Sequence, residues 1–220
     1  MNPARIEVIY NGIDLGRFTN VYSAGQIMRA KRSLGIQQGD VVGTMGRLSS
    51  VKGQKFLIEA MKEIAAKSKD TKCLIIGSGR EEDALKDLAR SLSLEERVIF
   101  TGAAYMDIPI YLACMDIFVL PSIEEGLGLA LLEAMSLGRP CVASATGGIV
   151  NIVNDGINGI LAPVGDSSAI ANAVLRILND KELAKNMSEN AKGFVRGRFS
   201  IEAMADKMIG LYERAINAHH

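Results

Sequence analysis

The sequence contains no tryptophan, and its only two histidines, His219 and His220, are its last two residues. A Ser-His-Asp hydrolase or a histidine-bound zinc centre needs an internal imidazole, so both are excluded. The terminal pair reads as a frayed tail or tag remnant. Lys plus Arg and Asp plus Glu each number 25, so the net charge is zero and no field draws in nucleic acid. Cysteine is sparse: Cys73, Cys114 and Cys141 are odd in number, far apart and set among apolar residues. They exclude a disulfide framework, argue against a metal site and read as small buried side chains of a reducing, cytoplasmic compartment. No apolar run approaches the roughly 18 residues of a spanning helix. No leader pattern opens the chain, so no membrane-spanning segment is expected. Nor is any strand-like run followed by G-x-G-x-x-G with an acid about twenty residues on, which argues against a nicotinamide-dependent dehydrogenase.

What the chain does have is a core. Of its 220 residues 48% are apolar, enough for one substantial domain. Short Val/Ile/Leu runs at 41–45, 72–76, 97–101, 116–120, 140–144 and 159–162 alternate with helical patterns at 53–67, 81–92, 107–115, 129–137 and 148–153. Strands with so little polar alternation are covered on both faces. Their repetition with short links predicts an α/β, Rossmann-like, doubly wound parallel sheet. Beyond Asp166 three consecutive helices are expected, at 167–179, 181–194 and 200–217, with Asp166 or Ser167 capping the first and Ser200 starting the last. The ten methionines lie mostly in apolar helices and read as core filler. Residues 1–40 form a lead-in or linker: a strand-like run at 5–10, a turn at Asn11-Gly12 and a basic amphipathic helix at 23–34.

Ligands of open parallel sheets bind beyond the carboxyl ends of the strands, and the informative residues collect there. After the fourth strand comes Pro121-Ser122-Ile123-Glu124-Glu125-Gly126-Leu127-Gly128-Leu129, with Glu133 one turn into the following helix. Free N–H groups at a helix start, next to glycines without a Cβ, suit a phosphate or diphosphate. Carboxylates at Glu125 and Glu133 suit sugar hydroxyls. Glu124 is expected to be solvated. The first strand is followed by Gly46-Arg47-Leu48 and, further along, Lys52-Gly53. Its two cations either clamp a diphosphate, the Arg as a planar fork and the Lys as a point charge, or are solvated loop residues. Gly77-Ser78-Gly79 and Gly102-Ala103-Ala104-Tyr105 are tight turns. They serve either structure alone or a slot for a flat base, with Tyr105 as its cover or simply a surface tyrosine. Thr146-Gly147-Gly148 offers either another nest of amides or a loop that needs positive φ.

These residues together resemble the retaining GT-B glycosyltransferases of family 4 (glycosyl transferases group 1). Glu125 through Glu133, continuing to Gly138-Arg139-Pro140, resembles their Glu-x7-Glu motif. Tyr10-Asn11-Gly12-Ile13-Asp14 with Phe18 is similar to their lead-in to the second domain. Gly46-Arg47-Leu48 with Lys52-Gly53 is similar to their diphosphate loop. Phe100-Thr101-Gly102, Tyr111-Leu112, Thr146-Gly147-Gly148 and Asp155 to Gly159 follow in the expected order. The resemblance covers nearly the whole chain and implies roles. Arg47 and Lys52 bind the donor diphosphate and stabilise the leaving group. Glu125 holds donor-sugar hydroxyls, and the backbone at Gly126, Leu127, Gly128 and Leu129 touches sugar and phosphate. Glu133 holds the ribose, while Gly46, Gly77, Gly79, Ala104 and Tyr105 frame the nucleotide. No bound metal or cofactor is implied; the donor is a nucleoside-diphosphate sugar, with UDP favoured and GDP or ADP open. Two positions depart from the family pattern: Asn151 stands where a Glu is common and Leu127 where an aromatic is common. The resemblance also implies that the chain, 1–220, is one donor-binding domain, with helices from 166 to 220. A preceding acceptor domain, absent from this sequence, would complete the enzyme and make any peripheral membrane contact. A non-catalytic nucleotide-sugar binding or assembly module is the alternative.

Overall fold

The computed structural model describes residues 6–18, 22–103 and 107–217. Among them six strands form one parallel sheet: β1 (Val41–Met45), β2 (Lys72–Ile76), β3 (Val98–Phe100), β4 (Ile117–Leu120), β5 (Cys141–Ser144) and β6 (Ile160–Ala162). Their order is β3-β2-β1-β4-β5-β6, with register set by pairs such as Gly43 with Leu74, Gly43 with Phe118 and Leu120 with Ala143. The expected strands therefore all form, trimmed by one residue at four of their starts and at the end of β3.

Alternation along each strand divides the core into two layers. Val42, Cys73, Ile75, Val119 and Val142 face one side, against α3 (Gln54–Lys67), α4 (Glu82–Ser91) and α7 (Ser167–Asn179). Val41, Met45, Leu74, Phe118 and Ala143 face the other, against α5 (Ile108–Cys114) and α6 (Leu129–Ser136). Because helices cover both faces, nearly every strand position is apolar, and each fully buried Leu, Ile or Val contributes about 1.5–3 kcal/mol. α8 (Lys181–Arg198) ties the layers together: its Met187 joins the first cluster, and its Ala191 and Val195 join the second. It runs past the expected end at 194 because nothing at 195–198 breaks a helix except Gly197, which an interior tolerates at about 1 kcal/mol. Helix starts are capped by side chains. Asp166 accepts from the Ala169 N–H (2.8 Å), Asp180 from Leu183 (2.9 Å) and Ser200 from Ala203 (3.0 Å), the last at the head of α9 (Ile201–Asn217).

The lead-in departs from the sequence reading. Residues 6–10 do not join the sheet, and residue 5 lies outside the described residues. They lie instead against the C-terminal helices, with Tyr10 packed near Phe199 (ring centroids 5.8 Å apart) and Glu7 paired with Arg214. Asn11-Gly12 is not a hairpin turn. A Cβ on Gly12 would lie 2.3 Å from the Ser200 carbonyl oxygen, so the glycine permits a close approach that lets Ile13 bridge to Ser200. A short helix, α1 (Leu15–Phe18), follows and packs on α6, burying Phe18. α2 (Ala24–Ser33) has the expected place and a Ser23–Gln26 capping box. The helix expected at 148–153 is a 3-10 turn, Gly147–Asn151, since two adjacent glycines give little support to a longer α-helix.

At the amino ends of the strands one polar cluster holds several elements. Asp116 accepts from the Val41 N–H (2.8 Å) and from Lys31 Nζ (3.3 Å). Arg139 donates to the carbonyl of Met115 (2.8 Å) and to those of Ala113 and Leu137 (3.4 Å each), satisfying the ends of both α5 and α6. Arg139→Met keeps most of the aliphatic stem and removes those donors. It is expected to lower unfolding free energy by about 2–3 kcal/mol at unchanged m-value in urea; an unchanged midpoint would show that the carbonyls find other partners.

Candidate functional site

β1 lies between β2 and β4, and the helices that follow β1 and β4 leave on opposite faces of the sheet. Their connecting loops therefore diverge, and a cleft opens between them. It has a volume of about 950 Å³ and is lined by Gly46, Arg47 and Lys52 from the β1 loop and by Glu124 to Ala130 from the β4 loop, with Asn11, Thr146 and Gly147 at its margin. A second cavity of about 410 Å³ adjoins it, lined by Ile76, Gly77, Ser78, Ala103 and Ile108. Met45, Gly46 and Arg47 belong to both walls. The exposed Arg47 thus stands at the junction of two compartments.

The loops are stitched together by backbone contacts that glycine makes possible. The Gly46 N–H donates to Ile76, and a Cβ on Gly77 would lie 2.0 Å from the Gly46 carbonyl oxygen, so β2's exit runs flush against β1's. Gly79 does the same against Leu48 and does not line either cavity. Gln54, the first residue of α3 and 3% exposed, donates its side-chain amide to the Arg47 carbonyl (2.9 Å) and so fixes the loop that carries Arg47. Lys52 ends a 3-10 turn, Ser50–Lys52, and the Ile123 N–H donates to Val51 (2.8 Å), joining the β1 and β4 loops.

That join brings Lys52 Nζ to 2.5 Å from Glu125 Oε2, with side-chain exposures of 29% and 12%. Ser122 Oγ donates to the same oxygen at 3.3 Å. Gly148 N–H donates to the Glu125 carbonyl (3.1 Å), and Thr146 Oγ1 donates to that of Ile123 (2.9 Å), so the β5 loop braces the β4 loop from behind. Gly128 caps α6 with φ +74°, a conformation that strains any residue with a Cβ. Leu129 and Ala130, whose N–H groups lie in the first turn and have no acceptor within the helix, line the cleft. Two cations, a helix start and a carboxylate thus converge. This is an environment for an anion flanked by hydroxyl-bearing groups.

Glu133 sits differently. It is half-buried one turn after Leu129 and belongs to neither cavity wall. Burial pushes its carboxyl up to about 7, with the Arg17 guanidinium of α1 opposing the shift. Ala104 and Tyr105 lie outside the described residues. Among the described residues no group of three His, Cys, Asp or Glu side chains is placed to hold a metal ion, and no helix is long and apolar enough to cross a membrane. Gln54, Ser122 and Arg17 are the site residues that sequence reasoning missed. A polar residue at the head of an apolar helix was the only visible sign of the first.

Residues 27–194 match the model of the family described as glycosyl transferases group 1. Among curated proteins, the chain is 34% identical over 179 residues to the alpha-D-kanosaminyltransferase of Streptomyces kanamyceticus, covering 81% of this chain and 46% of that protein. Among solved structures, Anabaena HepE in complex with UDP and glucose superposes with a TM-score of 0.87 at 30% identity, covering 94% of this chain and 56% of that one. The C-terminal domain of the group 1 family protein LpcC from Francisella tularensis superposes with a TM-score of 0.77 at 27% identity, covering 86% of this chain and 100% of that one. The chain spans about half the length of the curated relatives it matches.

The Glu133 environment gives a pH signature. The unfolded chain releases this proton near its ordinary value of 4.5, whereas the folded chain holds it to about 7. Between those values folding takes up a proton, so stability falls as pH rises and levels off above the upper value. Glu133→Gln has no proton to lose. It should match the wild type near pH 4 and exceed it by about 1–2 kcal/mol near pH 8 in chemical denaturation. A difference that does not grow with pH would contradict the assigned environment.

Proposed function

The chain belongs to the glycosyl transferases group 1 family, and from that premise we propose that it is the donor-binding domain of a retaining GT-B enzyme of family 4. In this reading it takes a nucleoside-diphosphate sugar, UDP favoured, and presents the sugar for transfer to a glycan, lipid or small-molecule acceptor. The observation that carries the reading is the position of Arg47 on the shared wall of the two cavities, in the same cleft as the Lys52–Glu125 pair. A diphosphate is the part of such a donor that lies between a base and a sugar. The smaller cavity takes the base, the larger one the sugar, and the two cations with the α6 start take the bridge between them.

The chemistry follows from charge. As the bond from the anomeric carbon to phosphate loosens, negative charge grows on the leaving diphosphate. Arg47, Lys52 and the first-turn N–H groups of α6 are the groups that meet that charge. Glu125 accepts hydrogen bonds from sugar hydroxyls, and the backbone from Gly126 to Leu129 contacts sugar and phosphate. Glu133 is assigned to the ribose and Tyr105, with Ala104, to the base. Gly79 acts through Leu48 rather than on the ligand. Neither the donor nor the site requires a bound metal in this account.

Transfer needs a second domain to bring the acceptor. The exposed apolar residues of α9, Ile209 (55%), Tyr212 (59%) and Ile216 (59%), form a face that such a domain would cover. Alone, the chain is expected to bind donor weakly and transfer little. Cys73, Cys114 and Cys141 are free and buried, with burial pushing the Cys73 thiol up to about 12, and such inert thiols accord with a cytoplasmic location.

Removing either cation tests the clamp. Arg47→Ala and Lys52→Ala should each weaken UDP binding about tenfold or more, since a charge-assisted bond to phosphate contributes roughly 1.5–3 kcal/mol. Calorimetry showing the wild-type affinity in both variants would remove the diphosphate from this cleft.

A further inference from the structure

We propose that the Lys52–Glu125 ion pair makes the site select sugar-bearing nucleotides over the bare nucleoside diphosphate, and so favours release of that product. The inference rests on the donor-site reading above and assigns Glu125 a second role within it, as a brake on Lys52.

In the free chain Lys52 is already occupied. Its ammonium lies 2.5 Å from Glu125 Oε2, and neither side chain is fully exposed. The pairing is not a chance meeting of mobile surface groups. Val51 and Ile123 are hydrogen-bonded across the two loops, and the Glu125 carbonyl is held by the Gly148 N–H. Any phosphate that recruits Lys52 must draw it from this carboxylate or share it. Glu125 would then keep only the 3.3 Å hydrogen bond from Ser122. A partly buried carboxylate stripped of its cation is destabilised unless another donor replaces it.

A nucleotide-sugar brings that replacement with it, because its hydroxyls reach the carboxylate as its diphosphate takes the lysine. The exchange is then balanced on both sides. A nucleoside diphosphate has no such hydroxyls at this end, so it meets the full cost of separating the pair. Once the sugar has left, re-formation of the Lys52–Glu125 contact works against the retained product. Arg47 shares the cleft but is not the partner of Glu125, so the selectivity runs through Lys52.

Calorimetry on the whole chain with UDP, and in parallel with UDP-glucose, tests the proposal through Glu125→Gln, Glu125→Ala and the same changes in a Lys52→Ala background. Releasing the lysine should tighten UDP by about three- to tenfold in both Glu125 variants. UDP-glucose should not tighten, and the UDP gain should vanish when Lys52 is absent. If the wild type binds UDP and the Glu125 variants bind it equally or more weakly, the brake is wrong although the donor site stands. If the variants tighten UDP with Lys52 absent as well, the effect does not run through the pair and the proposal also falls. If the wild type binds neither UDP nor UDP-glucose, nor the GDP and ADP counterparts, the donor-site reading fails and the selector goes with it.

Discussion

The adjacency of β1 and β4 is the constraint on which the rest of this molecule depends. Lys52 and Glu125 are 73 positions apart in sequence, yet their side chains meet because their strands are neighbours and run the same way. A parallel sheet carries every strand's exit loop to one edge. The helices after β1 and β4 leave on opposite faces, so these two loops part there. Inserting a strand between them, or sending α6 to the α3 face, would close the cleft while leaving each motif intact.

Around that opening the loops that carry the charges are held by hydrogen bonds to their backbone carbonyls. Gln54 fixes the Arg47 carbonyl, Val51 fixes Ile123 and Gly148 fixes Glu125. Few ion pairs are then needed for order, and Arg47 can remain exposed at the junction of both cavities. Polar anchoring of the fold sits at the opposite edge, where Arg139 and Asp116 hold α5, α6 and β1. The family match, the superposition on HepE with UDP and glucose, and the geometry of the cleft all support the same donor-binding reading.

Much of this was legible in the sequence, for a physical reason. Strands buried on both faces must be Val/Ile/Leu runs, and 41–45 and 72–76 form to the residue. The grouping of Arg47, Lys52 and Glu125 followed from the rule that strand exits share one edge. The failures have equally definite causes. Residues 6–10 have strand-like composition, but Tyr10 and Glu7 find their partners among the C-terminal helices, at Phe199 and Arg214. Gly12, Gly77 and Gly79 announced themselves as special, but whether a glycine serves a turn, a ligand or a close backbone approach depends on a neighbour distant in sequence. Arg17 matters only through Glu133, which three-dimensional packing brings to it, and Ser122 through Glu125, three residues on in the same loop. Nothing along the chain records that Lys52 meets Glu125.

The central claim is that one pyrophosphate bridge fits between Arg47, Lys52 and the start of α6. A crystal structure of the chain with UDP measures this most directly. The account predicts the diphosphate within hydrogen-bonding distance of both Arg47 and Lys52 Nζ, with the uracil in the cavity bounded by Gly77, Ser78 and Ala103. A nucleotide ordered elsewhere on the molecule, with the cleft between Arg47 and Glu125 left vacant, would contradict it.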